Sequence, residues 1–311
     1  MAGRTARRRI LHVALPAPAA SPAGAGPAGS AAVTGAPVLS HRPDLLAAED
    51  PLEIRVNDRP LAVTMRTPGD DIDLAAGFLA TEGLVRSAAD IASIRICLEH
   101  DDDLAAAGNG AAPHAAPGER GERGNVALVT LARGEIDDER LRRNFLTTSA
   151  CGVCGKASIE SVRVRARHDL TADHVRVRAS VLAGLPGVLR DAQRVFDRTG
   201  GLHAAGVFTA DGTLLALRED VGRHNAVDKV AGWALREGRL PLAGRILLVS
   251  GRTSFELVQK ALVAGTPVVA AVSAPSSLAA ELAEETGMTL VGFLRGGSMN
   301  VYTGAHRITA T

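Results

Sequence analysis

The stretch GRILLVSGRTSFELVQKALVAGTPVVAAVSAPSSLAAELAEETGMTLVGFLRGG, residues 244–297, alternates between two hydrophobic periods. GRILLVSGR, GTPVVAAVSAPS and GMTLVGFLRGG each hold a short apolar run rich in β-branched residues, as strands covered on both faces do. Between them, TSFELVQKALVAG and SSLAAELAEETG repeat apolar residues at helical spacing. Thr253 and Glu256 have capping-box spacing, Ser276 and Ser277 open the second helix, and Gly265 and Gly287 close the two. The order is βαβαβ, and right-handed crossovers make the three strands parallel. Upstream, GGLHAAGVFTADGTLLALRED reads as a hairpin across Asp211-Gly212, and VGRHNAVDKVAGWALREG as a helix. Residues 166–311 are therefore expected to form an α/β domain, a mixed sheet flanked by helices.

The preceding part is less regular. PLEIRVNDRPLAVTMRTP reads as a hairpin around Asn57-Asp58, and GDDIDLAAGFLATEGLV as a helix with an acidic start and Gly83 near its end. IASIRICLE, with Cys97 as a buried strand residue, and NVALVTLA add strands. Residues 104–124, rich in Gly, Ala and Pro, read as a flexible insertion. Residues 43–165 are expected to form a mixed α+β domain, and 1–42 a disordered Ala/Pro/Gly tail.

At 311 residues the chain has room for two domains, and a formal charge of +1 gives no electrostatic case for nucleic acid or an anionic membrane. No apolar run reaches membrane-spanning length, and ILHVAL near the N-terminus is too short for an export signal. Three cysteines exclude a disulfide framework and point to a reducing, cytoplasmic setting. Lys156, Lys229 and Lys260 are the only lysines, so arginine carries nearly all the positive charge.

Open α/β sheets bind ligands beyond the carboxyl ends of their strands. Here those ends read Ser250-Gly251-Arg252-Thr253, Ser273-Ala274-Pro275-Ser276 and Arg295-Gly296-Gly297-Ser298. Hydroxyls, glycines that permit close approach, and the guanidinium groups of Arg252 and Arg295 suit an anion such as a nucleotide pyrophosphate. Turns require Gly and Ser in any case, and no loop is a Walker A or G-x-G-x-x-G, so the nucleotide class stays open. Asp220, Arg223, His224, Asn225 and Asp228 form a second polar group; His224 suits ligand binding or proton transfer, or a structural hydrogen bond. His203 in GGLHAAG has Ala205 where zinc deaminases carry the glutamate of H-x-E, and no cysteine pair follows, so deamination fails on chemistry.

TTSACGVCGK, residues 148–157, sets Cys151 and Cys154 in a C-x-x-C between glycines. Structural zinc wants a second ligand pair, and His168 stands alone. A thioredoxin-type pair wants a strand before it, whereas LRRNFLTTSA is polar. Sulfur transfer wants an accessible, activated thiolate, which Gly152, Gly155 and Lys156 favour. Spacing does not separate this last reading from redox chemistry.

CGVCGK, RTGGLHAAGVF, REDVGRHNAVDKVAG, SGRTSFELVQKALVAGTPVVAAVSAPSSLA and LVGFLRGGSMNVYT together resemble the FdhD family, in collinear order from about Pro43 to the end. The resemblance implies a sulfur carrier required for formate dehydrogenase activity, with a cytidine-deaminase-like second domain and no metal of its own. It implies that sulfur arrives as a persulfide from a cysteine desulfurase and goes to the molybdenum or tungsten of a bis-molybdopterin guanine dinucleotide cofactor, before insertion into formate dehydrogenase. Cys151 is then the persulfide-bearing residue and Cys154 its assistant. The family's cofactor-binding stretch matches Phe293, Leu294, Arg295, Gly296, Gly297 and Ser298, with serine at 298 where relatives can carry arginine. A homodimer is compatible with such delivery. Two other readings stand beside it: a cofactor-binding chaperone without sulfur transfer, and a thiol oxidoreductase.

Overall fold

The computed structural model describes residues 3–15, 36–98, 124–133 and 168–310. Strands β10 (Arg245–Val249), β11 (Val268–Ala271) and β12 (Thr289–Arg295) are parallel, joined through helices α5 (Phe255–Val263) and α6 (Ser277–Glu285). The hairpin β8 (His203–Thr209) and β9 (Leu214–Asp220), turning at Gly212 with φ 95°, adds antiparallel to β10. Strand β13 (Ser298–Thr303) closes the other end, giving a mixed six-stranded sheet ordered β13-β12-β11-β10-β8-β9.

Both faces of this sheet are covered, which is why its strands read as unbroken apolar runs. Ile246, Leu248, Val268 and Ala270 face α2 (Ala179–Ala192) through Leu182, Leu185 and Leu189. Leu247, Val249, Val269 and Ala271 face α4 (Arg223–Arg236), α5 and α6. The two helix C-termini end as their glycines require, with Gly265 at φ 70° and Gly287 at φ 68°. The N-terminus of α5 differs from expectation: Ser254, not Thr253, is the N-cap, and Thr253 Oγ1 is buried without a partner. Thr253 is drawn into the next loop instead, its N–H donating to the Ala274 carbonyl at 3.1 Å and its own carbonyl accepting from Ser276.

The first unit is a four-stranded sheet ordered β4-β3-β6-β5, with α1 (Asp71–Thr81) on one face. Hairpin β3 (Asp50–Val56) and β4 (Arg59–Arg66) turns at Asn57 and Asp58, both at positive φ, as a type I′ turn demands. Strand β6 (Val126–Leu131) pairs parallel with β3 and antiparallel with β5 (Ile91–Cys97). Cys97 lies on β5 as expected but is half-buried, with its thiol 3.8 Å from the Val126 carbonyl.

The irregular tail expected over 1–42 is corrected in part. Strand β1 (Thr5–Ala14) pairs antiparallel with β2 (Val38–Ala47) along its whole length. Neither segment shows clean alternation, and Pro43 within β2 reads locally as a breaker; an isolated ribbon tolerates it because one edge needs no N–H. Arg4 anchors the ribbon's base to Asp70 at 2.5 Å.

Helix α4 joins the two units. It lies between the six-stranded sheet and α1, and is buried on both sides. The helices cross at glycines: a Cβ on Gly77 would approach the Asp228 carbonyl oxygen to 1.7 Å, and one on Gly232 the Asp73 oxygen to 1.8 Å. Gly232→Ala must push the helices apart, so a loss of about 3 kcal/mol, the upper range for overpacking, is expected in urea unfolding of the full chain. No helix among the described residues is long and apolar enough to cross a membrane.

Candidate functional site

Cys151 and Cys154 lie outside the described residues, as does the expected insertion apart from Gly124. The three strand-end loops, Phe293–Ser298 among them, lie along the edge formed by the carboxyl ends of β10, β11 and β12. Phe293–Ser298 is a hairpin tip rather than a strand-to-helix loop: Arg295 pairs with Ser298 across Gly296 and Gly297, at φ 60° and 77°. Phe293 takes φ 51° in an irregularity of β12, and its N–H donates to the Ser273 carbonyl at 3.1 Å. That kink sends Leu294 into the core, fully buried, and leaves Arg295, Gly296, Gly297 and Ser298 exposed. Leu294 therefore anchors the tip, and the other residues of the stretch can meet a ligand. The Arg295 guanidinium lies 5.6 Å from the centre of the Phe293 ring, which keeps its fork near the turn.

The two neighbouring loops divide their polar groups differently. Ser250 Oγ accepts from the Ala204 N–H at 2.9 Å, so it serves the β8–β10 junction. Ser276 Oγ caps α6 through the Ala279 N–H. Arg252 stays exposed.

The polar stretch at 220–229 is mostly turned to the first unit. Fully buried Asp220 accepts from Lys229 Nζ at 2.8 Å, the Thr67 N–H at 3.1 Å, the Gly222 N–H at 2.8 Å and Asn225 Nδ2 at 3.0 Å. Asn225 also donates to the Met65 carbonyl and accepts from Thr64. Asp228 accepts from the Thr81 hydroxyl at 2.6 Å and from Lys260 at 2.9 Å, and Lys260 reaches Glu82 at 3.2 Å. Burial acts to lower Lys260, but the Asp228 and Glu82 carboxylates outweigh it and hold the ammonium above its ordinary pKa.

Residues 47–309 match the model of the FdhD/NarQ family. The chain belongs to that family. The "Sulfur carrier protein FdhD" of Streptomyces avermitilis is 56% identical over 272 residues, 87% of this chain and 91% of that protein. The protein of the same name from Nocardia farcinica is 50% identical over 309 residues, 99% of this chain and 96% of its own. A crystal structure of a proposed formate dehydrogenase accessory protein from Desulfotalea psychrophila superposes with a TM-score of 0.64, covering 97% of this chain and 99% of that one; at 23% identity it supports the fold.

Within this FdhD/NarQ chain, His224 is the member of the polar stretch turned to the start of α5, with Nε2 3.2 Å from Ser254 Oγ, and Arg223 Nε is buried without a hydrogen bond. Lys229 and Lys260 were missed as partners of Asp220 and Asp228. Their signal was rarity: in a chain that uses arginine almost everywhere, two of three lysines are fixed inside helices.

Proposed function

We propose that the chain is a sulfur carrier in formate dehydrogenase maturation, taking sulfur from a cysteine desulfurase on Cys151 and delivering it to a bis-molybdopterin guanine dinucleotide cargo. The observation that carries this reading is chain-long identity with proteins named sulfur carrier protein FdhD. The exposed Arg295-Gly296-Gly297 tip, with exposed Arg252 on the loop two strands away along the same edge, supports it by offering guanidinium forks and bare backbone to a pyrophosphate.

In loading, the Cys151 thiolate attacks the outer sulfur of the donor's persulfide. The new Sγ–S bond forms as the donor's S–S bond breaks, the donor leaves as a thiolate, and there is no net oxidation. In delivery, the Cys154 thiolate attacks Cys151 Sγ and the outer sulfur leaves as hydrosulfide for the metal. The two thiols become a disulfide, which supplies the two electrons, and a cellular dithiol reductant restores them.

Supplied with cargo lacking its terminal sulfur, the persulfide-loaded chain is expected to yield active formate dehydrogenase where the unloaded chain does not. Equal activity from both would mean insertion without sulfur transfer. For the hairpin tip, Arg295→Ala is expected to weaken guanosine diphosphate binding about tenfold by calorimetry, the loss of one charge-assisted contact; unchanged affinity removes Arg295 from the site.

A further inference from the structure

Arg7, Arg8 and Arg9 lie side by side on β1, all exposed, and none forms an ion pair with a described residue. Leu11 and Val13 follow on the same strand, 51% and 48% exposed, beside Leu39 of β2 at 60%. The ribbon meets the body at its base, where Arg4 bonds Asp70 and Ala47 lies beside Gly201. Almost all of it lies outside residues 47–309, the span shared with the family. A two-stranded ribbon is marginal by itself in water, and a third strand relieves this.

The backbone decides where a third strand fits. The Ala48 N–H donates to the Arg4 carbonyl at 2.9 Å, which makes residues 4 and 48 a hydrogen-bonded pair. Such pairs alternate along an antiparallel ladder. In the observed register the even-numbered residues of β1 therefore turn their N–H and C=O to β2, and Thr5, Arg7, Arg9, Leu11 and Val13 turn theirs outward. On β2 the outward set includes Pro43, which has no N–H, so that edge is closed to a strand. No described residue pairs with the β1 edge, where every outward donor from Thr5 to Val13 is present.

Charge decides what the strand carries. The ribbon holds Arg7, Arg8, Arg9 and Arg42 against Asp44, in a chain whose net charge is +1. A second copy of β1, antiparallel with Ile10 facing Ile10, would set the two Arg9 side chains on a diagonal about 7–8 Å apart, like charge beside like. An acidic strand meets no such repulsion, and each of its carboxylates gains a guanidinium.

We infer that the free edge of β1 binds an extended segment of a partner protein, antiparallel, with acidic residues opposite Arg7, Arg8 and Arg9 and apolar residues opposite Leu11 and Val13. Main-chain hydrogen bonds supply the affinity, and the side chains on the two faces supply the selectivity. The inference is independent of the sulfur-carrier reading, and Cys151 takes no part in it.

The test is fluorescence anisotropy titration of the full chain with the labelled, end-capped peptide Val-Thr-Val-Val-Glu-Glu-Glu, whose first residue faces Val13 and whose last faces Arg7. N-methylation of its third and fifth residues, which face Leu11 and Arg9, should weaken binding about tenfold, because those N–H groups donate to outward carbonyls. N-methylation of the fourth, whose N–H points away from β1, should leave affinity within about twofold. Replacing all three arginines, as Arg7→Ser, Arg8→Ser and Arg9→Ser together, should weaken binding about tenfold with an unchanged circular dichroism spectrum. Absence of saturable binding, equal losses at the two kinds of N-methylated position, or unaltered affinity in the triple variant overturns the inference. So does a dimer in analytical ultracentrifugation that Leu11→Pro dissolves, since the edge would then belong to a second copy. An oligothymidylate that displaces the peptide as well as unlabelled peptide does also overturns it, because charge alone would then account for binding.

Discussion

Asp220→Ala should lower the stability of the chain by about 3–5 kcal/mol, the cost of leaving one half of a buried ion pair alone. Lys229 is wholly buried, and its other contacts are the carbonyls of Thr67 at 2.8 Å and Glu219 at 3.4 Å, which cannot balance an ammonium. The same substitution removes acceptors from Thr67, Gly222 and Asn225, loosening β4 from the start of α4. Since domains are stable by only about 5–15 kcal/mol, much of the margin goes. Urea unfolding followed by circular dichroism measures the loss. A double variant, Asp220→Ala with Lys229→Met, should recover part of it, because the stranded charge is gone. A loss below about 1 kcal/mol would mean that water reaches Lys229 and that the pair does not join the two units.

Cys151→Ala should reduce the restoration of formate dehydrogenase activity to background in cells lacking their own carrier. Alanine offers no thiolate to receive the sulfur, and loading begins with that thiolate. Cys154→Ala should still load sulfur at Cys151 but release it poorly, since the attacking thiol is missing. Abundance measured alongside separates loss of transfer from loss of protein. Full restoration by Cys151→Ala would reject the assigned role.

Much of the fold was legible because local signals agreed with one another. The runs at 246–249, 268–272 and 290–294 could only be strands covered on both faces, and Gly265 and Gly287 sit where left-handed residues end α5 and α6. The Asn57-Asp58 and Asp211-Gly212 turns were likewise visible. The β1–β2 ribbon was not, because its pairing joins segments more than twenty residues apart and neither alternates cleanly. Asn225 and Asp228 read only as part of a polar stretch near a helix start; the first unit covers the face they share with Lys229, so all three are buried contacts between units. At the site, the residues of FLRGGS were found, but the positive φ of Phe293 that turns Leu294 inward is not written in composition or spacing. Thr253 matched a capping box and lost the role to Ser254, because pairing with the Ala274–Ser276 loop holds it elsewhere.

The account stands on sulfur carried at Cys151, and intact and peptide mass spectrometry after incubation with a cysteine desulfurase and cysteine tests this most directly. The expected result is one additional sulfur atom on the peptide containing Cys151, removed by a thiol reductant and absent from Cys151→Ala. A wild-type chain that gains no sulfur under conditions where the desulfurase turns over would contradict it.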